Sequence, residues 1–359
     1  MFRSKKLNFI SLLMIFLVAL LQSSNTLAIQ NLYLNRVGFC DVEVGYDVHV
    51  VGNKAYVTNN DGLMIINTQD PRNPYKAGEL LIGGCFGFVM NGSIAYIASF
   101  SSGFVIANLS NAQYPETIGS YSTSGANKVA ISGDLAYVSY MEGGFNIFNI
   151  TNPESPSLVG TYTGTRSDSI QVKEKYIYLA DAEVGLKIID VSNFSNPFLI
   201  QTLTQTGGAN DIHISDNILY LARWGMGIKV FNISNPTSPV ALDSYDDDDG
   251  GEELGLVEKD GLLYVADNSG VELFNVSNPH SIFEITQFTR DVGAAHEIDV
   301  DHEYIYVALG GGLLILEVSN TPQENDLLIY LIIISVVVAG ILILAYFMIL
   351  KRKKRAQFT

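Results

Sequence analysis

Seven tyrosines spaced 40 to 44 residues apart predict an all-β fold, a seven-bladed β-propeller. Two further observations point the same way. Each interval holds four short segments with strand-like alternation, separated by Gly, Asn and Pro. The seventh interval lacks a fourth segment, and an orphan one stands near the N-terminus to supply it.

The anchoring residues are Tyr56, Tyr96, Tyr137, Tyr178, Tyr220, Tyr264 and Tyr306. In each unit an alternating strand a, such as Asp47–Gly52 or Asp211–Asp216, precedes the tyrosine-bearing strand b. A Gly-containing turn leads to strand c, as in Gly185–Ser192, and an Asn-Pro type turn leads to strand d, as in Leu158–Gly164. Strand c is nearly continuous apolar sequence, which suits a strand covered on both faces. Repeat seven stops after strand c at Ser319, and Leu34–Phe39 (LNRVGF) resembles the strand d SLVGTY of repeat three. The N-terminal segment is therefore expected to complete the last blade and leave no open sheet edge.

Two apolar stretches flank the repeats. Residues 1–28 combine a basic start, an apolar core from Leu7 to Leu21 and a small-residue site ending at Ala28, the pattern of a signal peptide. Residues 327–350 carry no charge over 24 positions. As a helix that span reaches ~36 Å, enough to cross a hydrocarbon core of ~30 Å. Lys351-Arg352-Lys353-Lys354-Arg355 follows at once and places the tail 351–359 in the cytoplasm. The chain thus reads as a signal peptide at 1–28, a propeller at 29–320, a linker at 321–326, one transmembrane helix at 327–350 and a basic tail. It is expected in the cell membrane, single-pass, with the ectodomain outside.

Eight of the 21 basic residues and none of the 37 acidic ones lie in those flanks. The part between them keeps 13 basic residues and a net charge of −24. Such a surface argues against DNA or RNA as a partner, because neutralising phosphates takes a basic face.

The units resemble the LVIVD repeat, a family named for its strand c. The nearest copies are Leu186-Lys187-Ile188-Ile189-Asp190-Val191-Ser192 and Ile228-Lys229-Val230-Phe231-Asn232-Ile233-Ser234, and the resemblance covers about 45–320. It implies a propeller of surface or exported proteins with undefined ligands, and it brings no catalytic residues. The sequence departs from the family by placing Asn where Asp is usual, at Asn108, Asn149, Asn232 and Asn275. That exchange suits a turn-capping role. These asparagines lie in Asn-x-Ser/Thr sequons, but so does Asn91 in an a–b turn, which is the expected glycan acceptor.

Strand a lines the channel of a propeller. Aligned on the tyrosines, one column holds Asp47, Gly87, Lys128, Ser169, Asp211, Gly255 and Glu297. Two residues on lie His49, Val89, Ala130, Gln171, His213, Val257 and Asp299, and His296 precedes Glu297. Asp47, His49, Asp211, His213, His296, Glu297 and Asp299 are the candidate ligand-binding residues, since imidazole with carboxylate is metal-ligand chemistry. The same positions can instead bond the backbone of the adjoining blade.

The run Asp246, Asp247, Asp248, Asp249, Glu252 and Glu253 interrupts the d–a loop between repeats five and six. It is either a solvated acidic loop or a site for a divalent cation such as calcium. Trp224, in the b–c turn of repeat five, is a candidate ligand platform. Cys40 and Cys85 are the two cysteines, and both are expected in d–a loops of neighbouring blades, where a disulfide can form. No nucleophile elbow, zinc-protease motif or Cys-x-x-Cys pair occurs. The sequence therefore reads as a cell-surface scaffold that presents loops to a protein or glycan partner. The rival is a metal-dependent exported enzyme at the channel-mouth cluster.

Overall fold

The computed structural model describes residues 32–164, 166–246, 252–289 and 293–321. The signal peptide read at 1–28, the membrane span at 327–350 and the tail lie outside them. Among the described residues no helix is long and apolar enough to cross a membrane.

The strands form seven four-stranded antiparallel sheets, one per repeat. Blade 1 consists of Asp47–Val51, Lys54–Thr58, Gly62–Asn67 and Tyr75–Leu81, and blades 2 to 6 repeat that order. Blade 7 takes Ala295–Val300, Tyr304–Leu309 and Gly312–Ser319 from the end of the chain. Its outer strand is Tyr33–Asp41, from the beginning. The closing strand expected at Leu34–Phe39 is thus present, and it runs three residues longer.

The propeller occupies Arg36–Val318. Just outside it, the Asn35 side-chain amide donates to the Thr321 carbonyl oxygen at 3.0 Å.

Strand c is covered on both faces, as its sequence predicts: all of Gly185–Asp190 is buried. Neighbouring blades meet in apolar seams. Between blades 3 and 4, for example, Tyr137, Phe145 and Ile147 pack with Ile177, Leu179 and Val191. Truncating one such side chain, as in Ile147→Ala, would cost about 2–5 kcal/mol.

Strand d locks onto the next blade by close backbone approach. A Cβ on Gly78 would meet the Ala112 carbonyl oxygen at 1.8 Å, and one on Gly119 the Pro153 oxygen at 2.0 Å. Where blade 5 has Asp243 at the matching place, its carboxylate accepts the Ile282 amide at 2.8 Å instead. Every c–d strand pair from blade 1 to blade 6 is also bulged at one matching position.

The c–d turns share one device. Asn67, Asn108, Asn149, Asp190, Asn232 and Asn275 each accept the backbone amide two residues on, at 2.7 to 3.1 Å. Asparagine and aspartate perform this equally, which explains the departure from the family pattern at those positions.

The disulfide expectation is corrected. Cys40 and Cys85 are both free and buried. Neither sits in a loop, since Cys40 belongs to the closing strand and Cys85 begins strand a of blade 2. Cys40 packs with Val57, Ala308 and Leu313 between blades 7 and 1. Cys85 packs with Leu63, Leu80 and Ile97 between blades 1 and 2. Blade 1 therefore stands between the two thiols. Burial pushes the Cys85 thiol up to about 12, so it stays protonated and donates to the Gly83 carbonyl oxygen at 3.1 Å.

Candidate functional site

The first residues of strand a converge on the channel, as the tyrosine alignment predicts. They line a cavity of about 190 Å³ together with His49, Gln171, His213 and Asp299. What they build there is an ion network centred on a residue that the sequence reading passed over. The Lys128 ammonium of blade 3 reaches Glu297 of blade 7 at 2.8 Å and Asp47 of blade 1 at 3.3 Å.

Glycine at two places in the column makes this reach possible. A Cβ on Gly87 would lie 2.5 Å from Lys128 Cδ, so the lysine stem crosses blade 2 where blade 2 has no side chain. A Cβ on Gly255 would lie 2.2 Å from Glu297 Oε1, so Glu297 occupies the matching space over blade 6.

The electrostatics follow from three carboxylates sharing one cation. Burial alone would lower the Lys128 ammonium, but Asp47, Glu297 and Asp211 outweigh it and hold the group above its ordinary value. Burial pushes the Glu297 carboxyl well above its usual range; Asp211 and Asp47 add to this and Lys128 only partly relieves it. Burial likewise raises Asp211, against Lys128 and a hydrogen bond from Ser169.

The same carboxylates also bind blades together. Asp47 accepts the Phe88 amide at 3.1 Å, Asp211 accepts the Leu256 amide at 3.0 Å, and Asp299 accepts the Val50 amide at 2.7 Å. In each case a strand-a carboxylate accepts from an N–H on strand a of the next blade. Asn127 makes the corresponding tie with its side-chain amide, donating to the Ser167 carbonyl oxygen at 2.9 Å.

One step further along the channel the histidines diverge. His49 Nδ1 lies 3.0 Å from Asp299. Burial would lower this imidazole, but the bond to Asp299 and the charges of Asp299 and Asp47 raise it. His213 lines the same cavity, and there burial wins and lowers the ring below its ordinary value.

His296 does not join either group. A register shift between Ala295 and Glu297 leaves it out of the strand ladder. Its Nδ1 lies 2.7 Å from the Gly45 carbonyl oxygen, and its ring stacks on Tyr46 at 5.9 Å. Among the described residues no three His, Cys, Asp or Glu side chains gather as metal ligands. At the channel mouth an ammonium already stands among the carboxylates.

The residues just before the channel column build a second feature, on the face carrying the d–a and b–c loops. Tyr46 and Phe86 lie 4.9 Å apart, and Phe86 meets Phe100 at 5.9 Å. With His296 they form an aromatic run over blades 7, 1 and 2, and Phe100 is 45 % exposed. The Tyr46 hydroxyl donates to Asn60 at 2.9 Å. The sequence signal for this run was present, since His296, Tyr46 and Phe86 directly precede column positions and Phe100 directly follows strand b.

Trp224 lies on the same face, exposed in the b–c turn of blade 5 beside exposed Met226. Of the acidic run, Asp246 pairs with the buried Arg223 at 2.7 Å, and Glu252 accepts the Asn268 side-chain amide at 2.9 Å. Glu253 begins strand a of blade 6. Asp247, Asp248 and Asp249 lie outside the described residues.

The chain belongs to the LVIVD repeat family, which it matches over residues 45–79, 89–123, 125–165, 164–204, 206–247 and 292–329. Blade 6 falls outside these matches, yet it is built like the others. Among curated proteins no sequence relative is found. Solved structures share the fold at low identity. The β-propeller domain of Myceliophteria thermophila Cps50 (Swd1) is 12 % identical with a TM-score of 0.66, over 80 % of this chain and 100 % of that one. The WD40 β-propeller domain of Doa1 is 11 % identical with a TM-score of 0.65, over 82 % and 98 %. The computationally designed protein Ika8 is 8 % identical with a TM-score of 0.58, over 79 % and 99 %.

Proposed function

We propose that this LVIVD-repeat propeller is a cell-surface binding scaffold. In this reading the signal peptide exports it, residues 327–350 anchor it, and the d–a and b–c loops face an extracellular protein or glycan partner. The observation that carries the proposal is the aromatic run His296–Tyr46–Phe86–Phe100 across three blades, with Phe100, Trp224 and Met226 exposed on the same face. Aromatic side chains supply large contact area at little entropic cost and dominate binding hot spots. The channel contributes by rigidity: its mouth is tied across by Lys128, which fixes the blades that carry the loops. A metal-dependent enzyme at that mouth finds less support, because the carboxylates there are committed to Lys128 and to backbone amides.

Site-specific photo-crosslinkers on the full chain displayed on cells test the reading. A crosslinker at Phe100 or Trp224 should capture a defined partner, and one at Tyr114, an exposed residue in a c–d turn, should not. Equal capture from both faces, or capture from Tyr114 alone, would reject it.

A further inference from the structure

Large apolar side chains stand exposed along one arc of the rim, where strand d begins. Leu158 of blade 3, Phe194, Phe198 and Leu199 of blade 4 and Val240 of blade 5 are between 41 and 57 % exposed. Phe194 sits in the c–d turn of its blade, and the other four are the first or second residue of strand d. The arc is continuous. A Cβ on Gly160 would meet the Phe194 carbonyl oxygen at 1.8 Å, so strand d of blade 3 abuts the c–d turn of blade 4. Gln201 of blade 4 and Ala241 of blade 5 line one hollow.

Charge sets this arc apart from the rest of the ring. Residues 29–326 carry a net charge of −24, yet 155–162, 191–210 and 230–242 contain no charged side chain. Glu154, in the c–d turn of blade 3, marks the edge of the arc. Asp190, the acid that ends strand c of blade 4, pairs with Lys175 at 3.4 Å. An exposed apolar patch with a polar border marks a contact with a protein or a membrane.

The course of the chain decides between the two. Strand c of blade 7, Gly312–Ser319, runs from the b–c turn to the side that carries the c–d turns. Only residues 319–326 separate Val318 from the apolar stretch that begins at Leu327. Fully extended, eight residues reach about 28 Å. Strand c of blade 7, also eight residues long, spans about 25 Å. Laying the d–a and b–c face on a bilayer would therefore pull the whole segment straight and leave almost no length to pass the headgroups. Laying the c–d face down uses little of it. Blade 7 stands across the ring from blades 3 and 4, so the tether and the apolar arc would hold that face down at opposite sides.

We propose that the arc Leu158, Phe194, Phe198, Leu199 and Val240 rests on the surface of the bilayer and turns the loop face outward. The proposal rests on the reading that residues 327–350 span the membrane. The lipid it fits is zwitterionic, because the acidic ring repels anionic headgroups.

The test uses the full chain in phosphatidylcholine vesicles, with a fluorescent dye on one introduced cysteine. Ser195→Cys places the dye beside Phe194, and Ser101→Cys places it beside Phe100 in the b–c turn of blade 2. The native thiols are buried and held protonated, so only the introduced one takes the dye. The Ser195 dye should lose most of its emission to lipid carrying a headgroup nitroxide and little to aqueous iodide, and the Ser101 dye should do the reverse. Phe194→Asp with Phe198→Asp should return the Ser195 dye to the Ser101 pattern. Both side chains are exposed, so the ring should melt at the wild-type temperature; should the acidic pair melt early, Phe194→Ser with Phe198→Ser carries the same test. The proposal is overturned if the two dyes meet lipid equally, or if the paired substitutions leave the Ser195 pattern unchanged, which would mean that the tether alone brings this face down. A Ser195 dye shielded from lipid and iodide alike would mean that a protein or a second copy covers the arc, and also overturns it. If alkaline carbonate strips the chain from the vesicles, the membrane reading fails and takes the proposal with it. If the chain stays and the Ser195 dye meets only water, the proposal alone fails.

Discussion

Two columns of the repeat behave in opposite ways. At the end of strand c, six blades perform one task with Asn or Asp, capping the c–d turn through the amide two residues on. At the start of strand a, seven blades place Asp, Gly, Lys, Ser, Asp, Gly and Glu. No two neighbours there match, and the result is a single network reaching from blade 3 to blades 1 and 7. A local column acts six times over, so its sequence must repeat. A column that meets itself across a channel acts once, and its members must differ. Repetition therefore marks how a blade folds, and departure from it marks what the ring does as a whole.

The largest expected effect tests whether the ring is one cooperative object. A chain beginning at Gly45 lacks Tyr33–Asp41, the outer strand of blade 7. It leaves strand c of that blade, Gly312–Ser319, as an exposed apolar edge. It also removes Cys40 from the core between blades 7 and 1. Thermal unfolding and limited proteolysis should find most of the stability gone. Melting at the wild-type temperature would show that the closing strand is ornamental.

The next test sets the two columns against each other. Lys128→Met leaves three buried carboxylates facing one another, a break of the kind that costs about 3–5 kcal/mol. Asn149→Ala removes one turn cap, the 2.9 Å bond to the Thr151 amide, and should cost about 0.5–1.5 kcal/mol. Urea melts of both variants decide it. Equal losses would mean that the channel network holds the ring no more than a single turn does.

Much of this was legible in the sequence. The blade count, the closing strand and the two channel positions followed from the tyrosine spacing, because each depends on local pattern and on period. Three features were not legible. The role of Lys128 depends on the width of the channel and on the empty space over Gly87 and Gly255, and neither quantity is local. The cysteines looked adjacent because both lie near the junction of strands d and a. One core separates from the next across blade 1, though, and only the three-dimensional ring shows it. His296 was expected in the channel with Glu297, and the bulge that turns it out to Gly45 has no clear sequence mark.

The smallest effect concerns protonation of the network. Glu297 has a folded pKa well above its ordinary 4.5, chiefly from burial. A carboxyl of this kind favours the fold while protonated. Its contribution is complete below about pH 4.5 and is lost as pH rises through the folded value. Asp211 is shifted in the same direction, so it erodes stability over the same side of the scale. Lys128 is also raised, and its contribution persists until pH climbs through its own folded value, above the ordinary 10.5. From about pH 4.5 upward, then, the wild type should lose stability that a neutral side chain at position 297 would keep. Glu297→Gln matches the protonated acid in shape and can still accept from Lys128. Its stability relative to the wild type should therefore grow as urea melts are moved upward from about pH 4.5, and level off once the folded carboxyl has ionised. Taking the difference cancels the titration of the acidic loops, which both proteins share. A difference that stays constant as pH rises would mean that the fold does not raise the Glu297 carboxyl, and that Lys128 offsets its burial in full.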